Sequence, residues 1–168
     1  MNEKDKKGSG GGKLNRTQTV TLRLDPRLRY LTDLGARMQR RTTSGFIEWA
    51  IEEAIESLEM YYDKENGVSH TLASESFWLW DVDEPDRFVK LADRHSNLLT
   101  HDEQVLWKII TEAKFLYNEN YDNPTGAPIY PRLDVRLVRK YWSELRSVAN
   151  KEMSIDELAK SFKEQESG

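Results

Sequence analysis

Cysteine is absent from this chain, histidine is scarce, and no run of residues is apolar enough to suggest a membrane span. The lack of cysteine excludes disulfides and thiolate metal sites, and it is compatible with a reducing cytoplasm, where we expect the protein to act. The three histidines, His70, His95 and His101, stand at no spacing typical of metal ligands. A transmembrane helix needs about 20 apolar residues, so we expect no membrane partner.

Motifs of common enzymes are missing as well. The sequence contains neither a glycine-rich phosphate loop nor the elbow that presents a nucleophilic serine. Acidic residues do cluster around Pro85, but their spacing is not that of an EF-hand loop, and acids beside a proline are typical of a helix start. We therefore predict a protein that is not an enzyme and holds no metal or cofactor.

Charge is divided unevenly along the chain. Residues 1–41 contain 11 lysines and arginines against 4 acidic residues, which gives a net charge of +7. Residues 42–60 contain 5 acidic residues and no base, and residues 61–168 contain 14 bases against 20 acids. A basic end on an acidic body points to a polyanion as partner. The alternative is a tail that merely increases solubility.

The stretch 17–60 contains one strand pattern followed by two helical patterns. Apolar and polar residues alternate at its start, which is typical of a strand with two different faces. Asp25-Pro26 ends this pattern, because proline cannot donate to a sheet ladder but suits the first turn of a helix. One face of the strand carries Val20, Leu22 and Leu24, and the other carries Thr19, Thr21 and Arg23.

Two amphipathic helices are predicted after this strand. The first runs from about Pro26 to Arg40, and the hydroxyl groups of the turn that follows can cap the second. The apolar stripe of the second helix consists of Phe46, Ile47, Ala50, Ile51, Ala54, Ile55 and Leu58. One short strand and two short helices cannot bury this much apolar surface alone, so we expect a second copy of the chain to cover it.

Strand, Arg-Leu-Asp-Pro, helix, Thr/Ser turn and helix, within about 44 residues, resemble the ribbon-helix-helix fold of the Arc and MetJ repressors. The resemblance covers residues 17–60, about a quarter of the chain, and implies a homodimer whose paired strands enter the major groove of double-stranded DNA. One departure is Gly45, where relatives often carry an acidic or longer side chain. The dimer core that the resemblance implies is Val20, Leu22, Leu24, Leu31, Leu34, Ile47, Ala50, Ile51, Ala54 and Ile55.

The resemblance also implies residue roles on the DNA. Thr19, Thr21 and Arg23 match the outward strand positions that read bases, and an arginine there can donate two hydrogen bonds to guanine. The structural alternative for these residues is β-propensity and a solvated face. Phosphate contacts are expected from the start of the second helix and from the arm before the strand. Their residues are Lys13, Arg16, Thr42, Thr43 and Ser44.

We divide the chain into four parts. Residues 1–16 are expected to form a flexible basic arm, residues 17–60 the ribbon-helix-helix domain, and residues 61–74 a linker with Asn66-Gly67 as a turn. Residues 75–168 are expected to form a small helical domain that oligomerises or binds a partner. The expected fold class is therefore mainly α. The apolar run 77–80 fits either a short buried strand or one turn of buried helix.

A basic stripe is predicted in the C-terminal part. Arg132, Arg136, Arg139 and Lys140 stand at i, i+4, i+7 and i+8, so they share one face of a helix. They could touch DNA phosphates beside the main site. The alternative is a solvated face that forms salt bridges with the acidic body.

Together these features predict a sequence-specific DNA-binding regulator of transcription, most simply a repressor. A homodimer is expected, with a tetramer or larger assembly through the C-terminal part as a further option. Two alternatives use the same DNA-binding domain. One is an antitoxin whose C-terminal part binds a toxin, and the other is an accessory DNA-binding protein of plasmid segregation or conjugation.

Overall fold

The computed structural model describes residues 19–118 and 132–166. Within these ranges the chain is mainly helical with one small two-stranded sheet, which confirms the predicted fold class at that level. The chain divides into two compact units, residues 1–53 and residues 54–168, which we call unit 1 and unit 2. The division falls within a helix, a few residues before the predicted end of the DNA-binding domain.

Helices α1 (Pro26–Met38) and α2 (Thr43–Ser57) begin where the sequence predicts them. The Asp25 carboxylate accepts hydrogen bonds from the backbone N–H groups of Arg27 and Leu28, each at 3.0 Å. The Thr42 hydroxyl accepts one from Gly45 N–H at 3.1 Å. Each cap satisfies N–H groups that have no partner inside the helix.

Close packing joins α1 to α2 in unit 1. A Cβ atom added to Gly35 would lie 2.5 Å from Cζ of Phe46, so glycine is needed for the ring to rest on the α1 backbone. The Thr43 hydroxyl donates a hydrogen bond of 2.9 Å to the carboxylate of Asp33. Between the helices, Arg40 has φ 55°, the left-handed conformation in which a helix often ends.

The predicted N-terminal strand is not formed within the single chain. Residues 19–25 make no sheet ladder, and the two-stranded sheet of the described residues lies at 59–71 instead. A strand is recognised by the hydrogen bonds that it exchanges with a neighbouring strand. In the ribbon-helix-helix arrangement that neighbour belongs to the second chain, so one chain cannot display the ribbon.

The predicted linker at residues 61–74 contains regular structure. Strands β1 (Glu59–Asp63) and β2 (Val68–Thr71) form an antiparallel hairpin, and helix α3 (Leu72–Leu79) follows directly. The Asp63 carboxylate accepts from the backbone N–H groups of Glu65 and Asn66, and Gly67 takes φ 67°. The predicted turn at Asn66-Gly67 is therefore present, but it joins two strands rather than interrupting a linker.

Short helices make up most of the rest of unit 2 in the part of the chain that the structure describes. They are α4 (Glu84–Arg94), α5 (His101–Glu112), α6 (Val135–Lys140), α7 (Trp142–Ala149) and α8 (Ile155–Glu166), with one-turn 3₁₀ helices at Ser96–Leu98 and Lys114–Leu116. Capping boxes start α5 at Thr100 and α8 at Ser154, as the sequence predicts. The helical pattern after Leu133 is divided into α6 and α7 at Tyr141, which has φ −107° and ψ 19°.

The two units differ in how many of their residues are buried. In the described part of unit 1, Thr32 and Ala36 are the buried residues. Unit 2 instead has a continuous core contributed by α4 to α8 and the segments between them. The core residues are Phe88, Val89, Ala92, Leu99, Leu106, Ile110, Ala113, Leu116, Leu133, Val135, Val138, Tyr141, Leu145 and Leu158. Unit 2 thus buries a core of its own, although apolar side chains at the end of α3 and before α4 stay exposed, whereas unit 1 leaves most of its apolar residues accessible.

Candidate nucleic-acid interface

The three residues predicted to read bases are all exposed. Thr19, Thr21 and Arg23 lie in the segment before α1, and Asp25 fixes where that segment ends by capping the helix. Each side chain is therefore accessible to a partner. Lys13 and Arg16, the predicted phosphate contacts on the arm, lie outside the described residues.

The predicted dimer core is largely uncovered in the single chain. Val20 is 77% exposed, Leu22 53%, Leu31 49% and Ile51 51%. Ala50 and Ala54 are exposed as well. The remaining members, which are Leu24, Leu34, Ile47 and Ile55, are partly buried. Large apolar side chains exposed together are the usual mark of a surface that another molecule covers.

An open groove of about 840 Å³ runs along this apolar surface. The segment 20–24 forms one wall, and the α2 residues Ile47 and Ile51 contribute to the other. Arg23, predicted on the opposite face of a strand, also borders the groove, together with Glu48 and Glu52. The alternating sequence predicts that apolar and polar side chains lie on opposite faces of this segment. In the single chain they are not fully separated, because Arg23 lies beside the apolar residues.

The predicted phosphate-binding residues at the start of α2 have different surroundings. Thr42 caps the helix, Thr43 donates to Asp33, and Ser44 is exposed. The hydrogen bond from Thr43, together with the hydrogen bond and charge of Arg29, lowers the pKa of the Asp33 carboxyl in spite of the opposing effect of burial. Thr42 and Ser44 are both exposed, and the Thr42 hydroxyl already caps the helix, so Ser44 offers the hydroxyl that is not used by α2 itself.

Arginines surround the turn that leads into α2. Arg37, Arg40 and Arg41 are exposed. The guanidinium of Arg41 lies 5.6 Å from the ring centroid of Trp49, whose indole N–H donates to Glu53 at 3.1 Å. Trp49 is partly buried and is 5.5 Å from the Phe46 ring, so it supports the turn from the α2 side. The turn presents positive charge beside a helix N-terminus, where the helix dipole also favours anions.

The predicted placement of the C-terminal basic stripe on one helix face is wrong for Arg132, which lies before α6 with φ 88°, and the other three side chains make contacts within unit 2. Arg139 forms a two-bond salt bridge with Asp86, with both N···O distances 2.5 Å, and Arg136 lies 2.7 Å from the Asp134 carboxylate. Lys140 lies 5.1 Å from the centroid of the Tyr141 ring, and the Arg132 carbonyl accepts from Asn118 N–H. The salt bridges of Arg136 and Arg139 agree with the alternative prediction, a solvated face that forms salt bridges with the acidic body. Contact of the stripe with phosphates stays a prediction.

Removal of the Arg139 guanidinium should destabilise unit 2. Asp86 is only 6% exposed, and Arg139→Ala would leave its carboxylate without the partner that compensates for burial. We expect the free energy of unfolding to fall by about 1–3 kcal/mol. Denaturant unfolding of the full chain, followed by tryptophan fluorescence, measures the change.

Arg146→Ala is the matched control for this prediction. Arg146 also pairs with an α4 carboxylate, Glu84 at 3.2 Å, but both side chains are more than half exposed. Such surface pairs contribute about 0–1 kcal/mol. Equal losses in the two variants would show that Arg139 has no special structural role.

A buried polar cluster in unit 2 was not predicted. The Glu75 carboxylate is 3% exposed, and its Oε1 accepts from the Tyr61 hydroxyl and lies 3.2 Å from His70 Nδ1. Its Oε2 lies 3.4 Å from Nε2 of His95. Partial burial and the charge of Glu75 raise the pKa of Tyr61. The members of this cluster come from β1, β2, α3 and the end of α4, so no short sequence motif contains them. The scarcity of histidine was the only sequence signal that could have drawn attention to them.

Metal and membrane sites are not found in the part of the chain that the structure describes. Among residues 19–118 and 132–166, no group of three or more histidine, aspartate or glutamate side chains is placed to hold a metal ion. Nor does any helix in these ranges have the length and apolar character that crossing a bilayer requires. Comparisons with protein-family models, curated proteins and solved structures found no match to this chain.

Proposed function

We propose that this protein is a sequence-specific DNA-binding repressor of transcription whose N-terminal segments pair as a ribbon in a homodimer. The observation that carries the proposal is the contrast within residues 19–25. Val20 and Leu22 are at least half exposed, and Thr19, Thr21 and Arg23 are exposed beside them. The apolar side chains need a partner molecule that buries them, and the polar side chains are free to contact the bases of DNA.

A second copy of the chain is the simplest cover for the apolar residues. Complete burial of a leucine or isoleucine side chain stabilises by about 1.5–3 kcal/mol. Leu22, Leu31 and Ile51 are each about half exposed, so each can still contribute about 1 kcal/mol, and a symmetric dimer counts each of them twice. Two segments 19–25 paired antiparallel would also satisfy each other's backbone hydrogen-bonding groups.

The polar side chains suit the major groove of DNA. Arg23 can donate in parallel to O6 and N7 of guanine, and Thr19 and Thr21 offer both a hydroxyl and a methyl group. In a ribbon these residues from the two chains would stand side by side, so the site read should have two related halves.

The start of α2 suits a phosphate. Ser44 is exposed there, and Arg37, Arg40 and Arg41 surround the preceding turn. Backbone N–H groups at a helix N-terminus and the helix dipole both favour an anion. Contacts of this kind fix the orientation of a protein on DNA, while base contacts supply sequence specificity. A dimer held in this way on a promoter would exclude RNA polymerase, which is the basis of the proposed repression.

Selection from a pool of random DNA duplexes tests the proposal. The full-length protein should enrich a short sequence with two-fold or directly repeated halves, and its affinity should fall steeply as salt increases. Ser44→Glu, which places a negative charge at the phosphate position, should weaken binding to all sequences alike. Recovery of unenriched DNA by the wild-type protein would contradict the proposal.

A further inference from the structure

Large apolar side chains stand exposed on unit 2 at the end of α3 and in the loop before α4. Phe77 is 80% exposed, Trp78 44%, Trp80 67% and Val82 80%. We call these four side chains the aromatic surface. Its three rings alone expose on the order of 400 Å², and an apolar patch of this size often marks an interaction site.

The aromatic surface is held in place by cations from α4. The guanidinium of Arg87 lies 5.2 Å from the Trp80 ring centroid, and that of Arg94 lies 5.0 Å from Trp78. The ammonium of Lys90 donates to the carbonyl of Trp80 at 3.2 Å. The two indole rings are therefore positioned before any partner arrives, which reduces the conformational entropy lost on association.

The charges around the aromatic surface are balanced. Residues 81–94 contain five acids and three bases, and two of the acids, Asp86 and Glu84, form ion pairs with Arg139 and Arg146, so the two signs are equal in number. Lys90 also lies 2.7 Å from the Asp81 carboxylate. A patch that recognises a polyanion or a strongly charged protein needs an excess of one sign. A patch that meets its own copy across a two-fold axis needs balance instead, because like charges would otherwise face each other.

We propose that the aromatic surface is a self-association interface between two copies of unit 2. Aromatic residues and arginine are the side chains most enriched at the centres of such interfaces. The rings supply about half of the roughly 800 Å² per partner of a standard interface, and the charged residues around them supply the remainder. The inference stands independently of DNA binding. When unit 2 pairs between two unit 1 dimers, as we propose, the product is a tetramer with two DNA-reading ribbons.

Sedimentation of the full-length chain tests this interface. The double variant Phe77→Ser/Trp80→Ser should halve the molar mass of the wild type, from tetramer to dimer. If unit 1 does not dimerise, the same variant should take the protein from dimer to monomer, so the two proposals fail in distinguishable ways. Tyr62→Ser is the control, because Tyr62 is 54% exposed but lies outside the aromatic surface. An unchanged mass in the double variant overturns the inference.

A second variant keeps the test valid if the double variant folds poorly. The chain has no cysteine, so Phe77→Cys introduces a single thiol on the aromatic surface. A short bismaleimide should join two chains of this variant, but should join those of Tyr62→Cys far less. Equal cross-linking of the two variants, or none in either, overturns the inference.

Discussion

Replacement of Leu22 by aspartate should abolish the proposed unit 1 dimer and lower DNA affinity by at least about a hundredfold, or roughly 3 kcal/mol. Leu22 is half exposed in the single chain and borders the apolar groove. In the dimer its side chain would be covered, and a buried carboxylate without a partner is strongly unfavourable. Sedimentation in the Phe77→Ser/Trp80→Ser background isolates the unit 1 contact and should show monomers.

Thr21→Asp is the matched control for Leu22→Asp. It places the same charge on the neighbouring position, which the proposed ribbon would direct toward DNA. We expect it to weaken DNA binding by repulsion from phosphates while leaving the dimer intact. A Leu22→Asp protein that remains dimeric in this background would refute the proposed dimer core.

Removal of Glu75 should destabilise unit 2 more than any surface substitution. Glu75→Ala would leave the Tyr61 hydroxyl and the buried His95 ring without their shared acceptor, and would also open a cavity. Together these effects should lower the free energy of unfolding by about 2–4 kcal/mol. Denaturant unfolding measures the loss, and amide exchange should show the β1–β2 hairpin opening first.

Glu75→Gln provides the comparison for this prediction. An amide of the same shape fills the space and keeps one acceptor, so it should cost less than alanine. Loss of the negative charge should also return the pKa of Tyr61 toward its ordinary value, which spectroscopic titration can follow. A Glu75→Ala protein as stable as the wild type would show that the cluster does not hold the hairpin to α3 and α4.

Local signals in the sequence predicted much of the helical structure. Asp25-Pro26 set the start of α1, and the capping boxes at Thr100 and Ser154 set the starts of α5 and α8. Each of these depends on residues within one helical turn, so the necessary information is contiguous. The hairpin at 59–71 was missed because its strands are only 5 and 4 residues long. Too few residues fall on each face to produce a clear alternation.

Long-range relations could not be predicted from the sequence. In the run 77–80, residues 77–79 form the end of α3 and Trp80 follows in an extended conformation, and the aromatic residues are exposed rather than buried as expected. No local pattern distinguishes an aromatic run that packs inside a unit from one that meets another molecule. The Arg139–Asp86 bond and the Glu75 cluster join residues from distant helices and strands. Such pairs become apparent only when the fold brings them together.

Genomic footprinting of the wild type beside Arg23→Ala tests the central claim most directly. The wild type should give sequence-specific peaks at promoters, and Arg23→Ala should lose about 1–3 kcal/mol of discrimination at one base position in each half-site. Peaks at origins or centromere-like repeats would favour the segregation alternative, and a toxin-like gene beside a bound promoter would favour the antitoxin. Peaks that survive Arg23→Ala undiminished would contradict the ribbon as the reader of DNA.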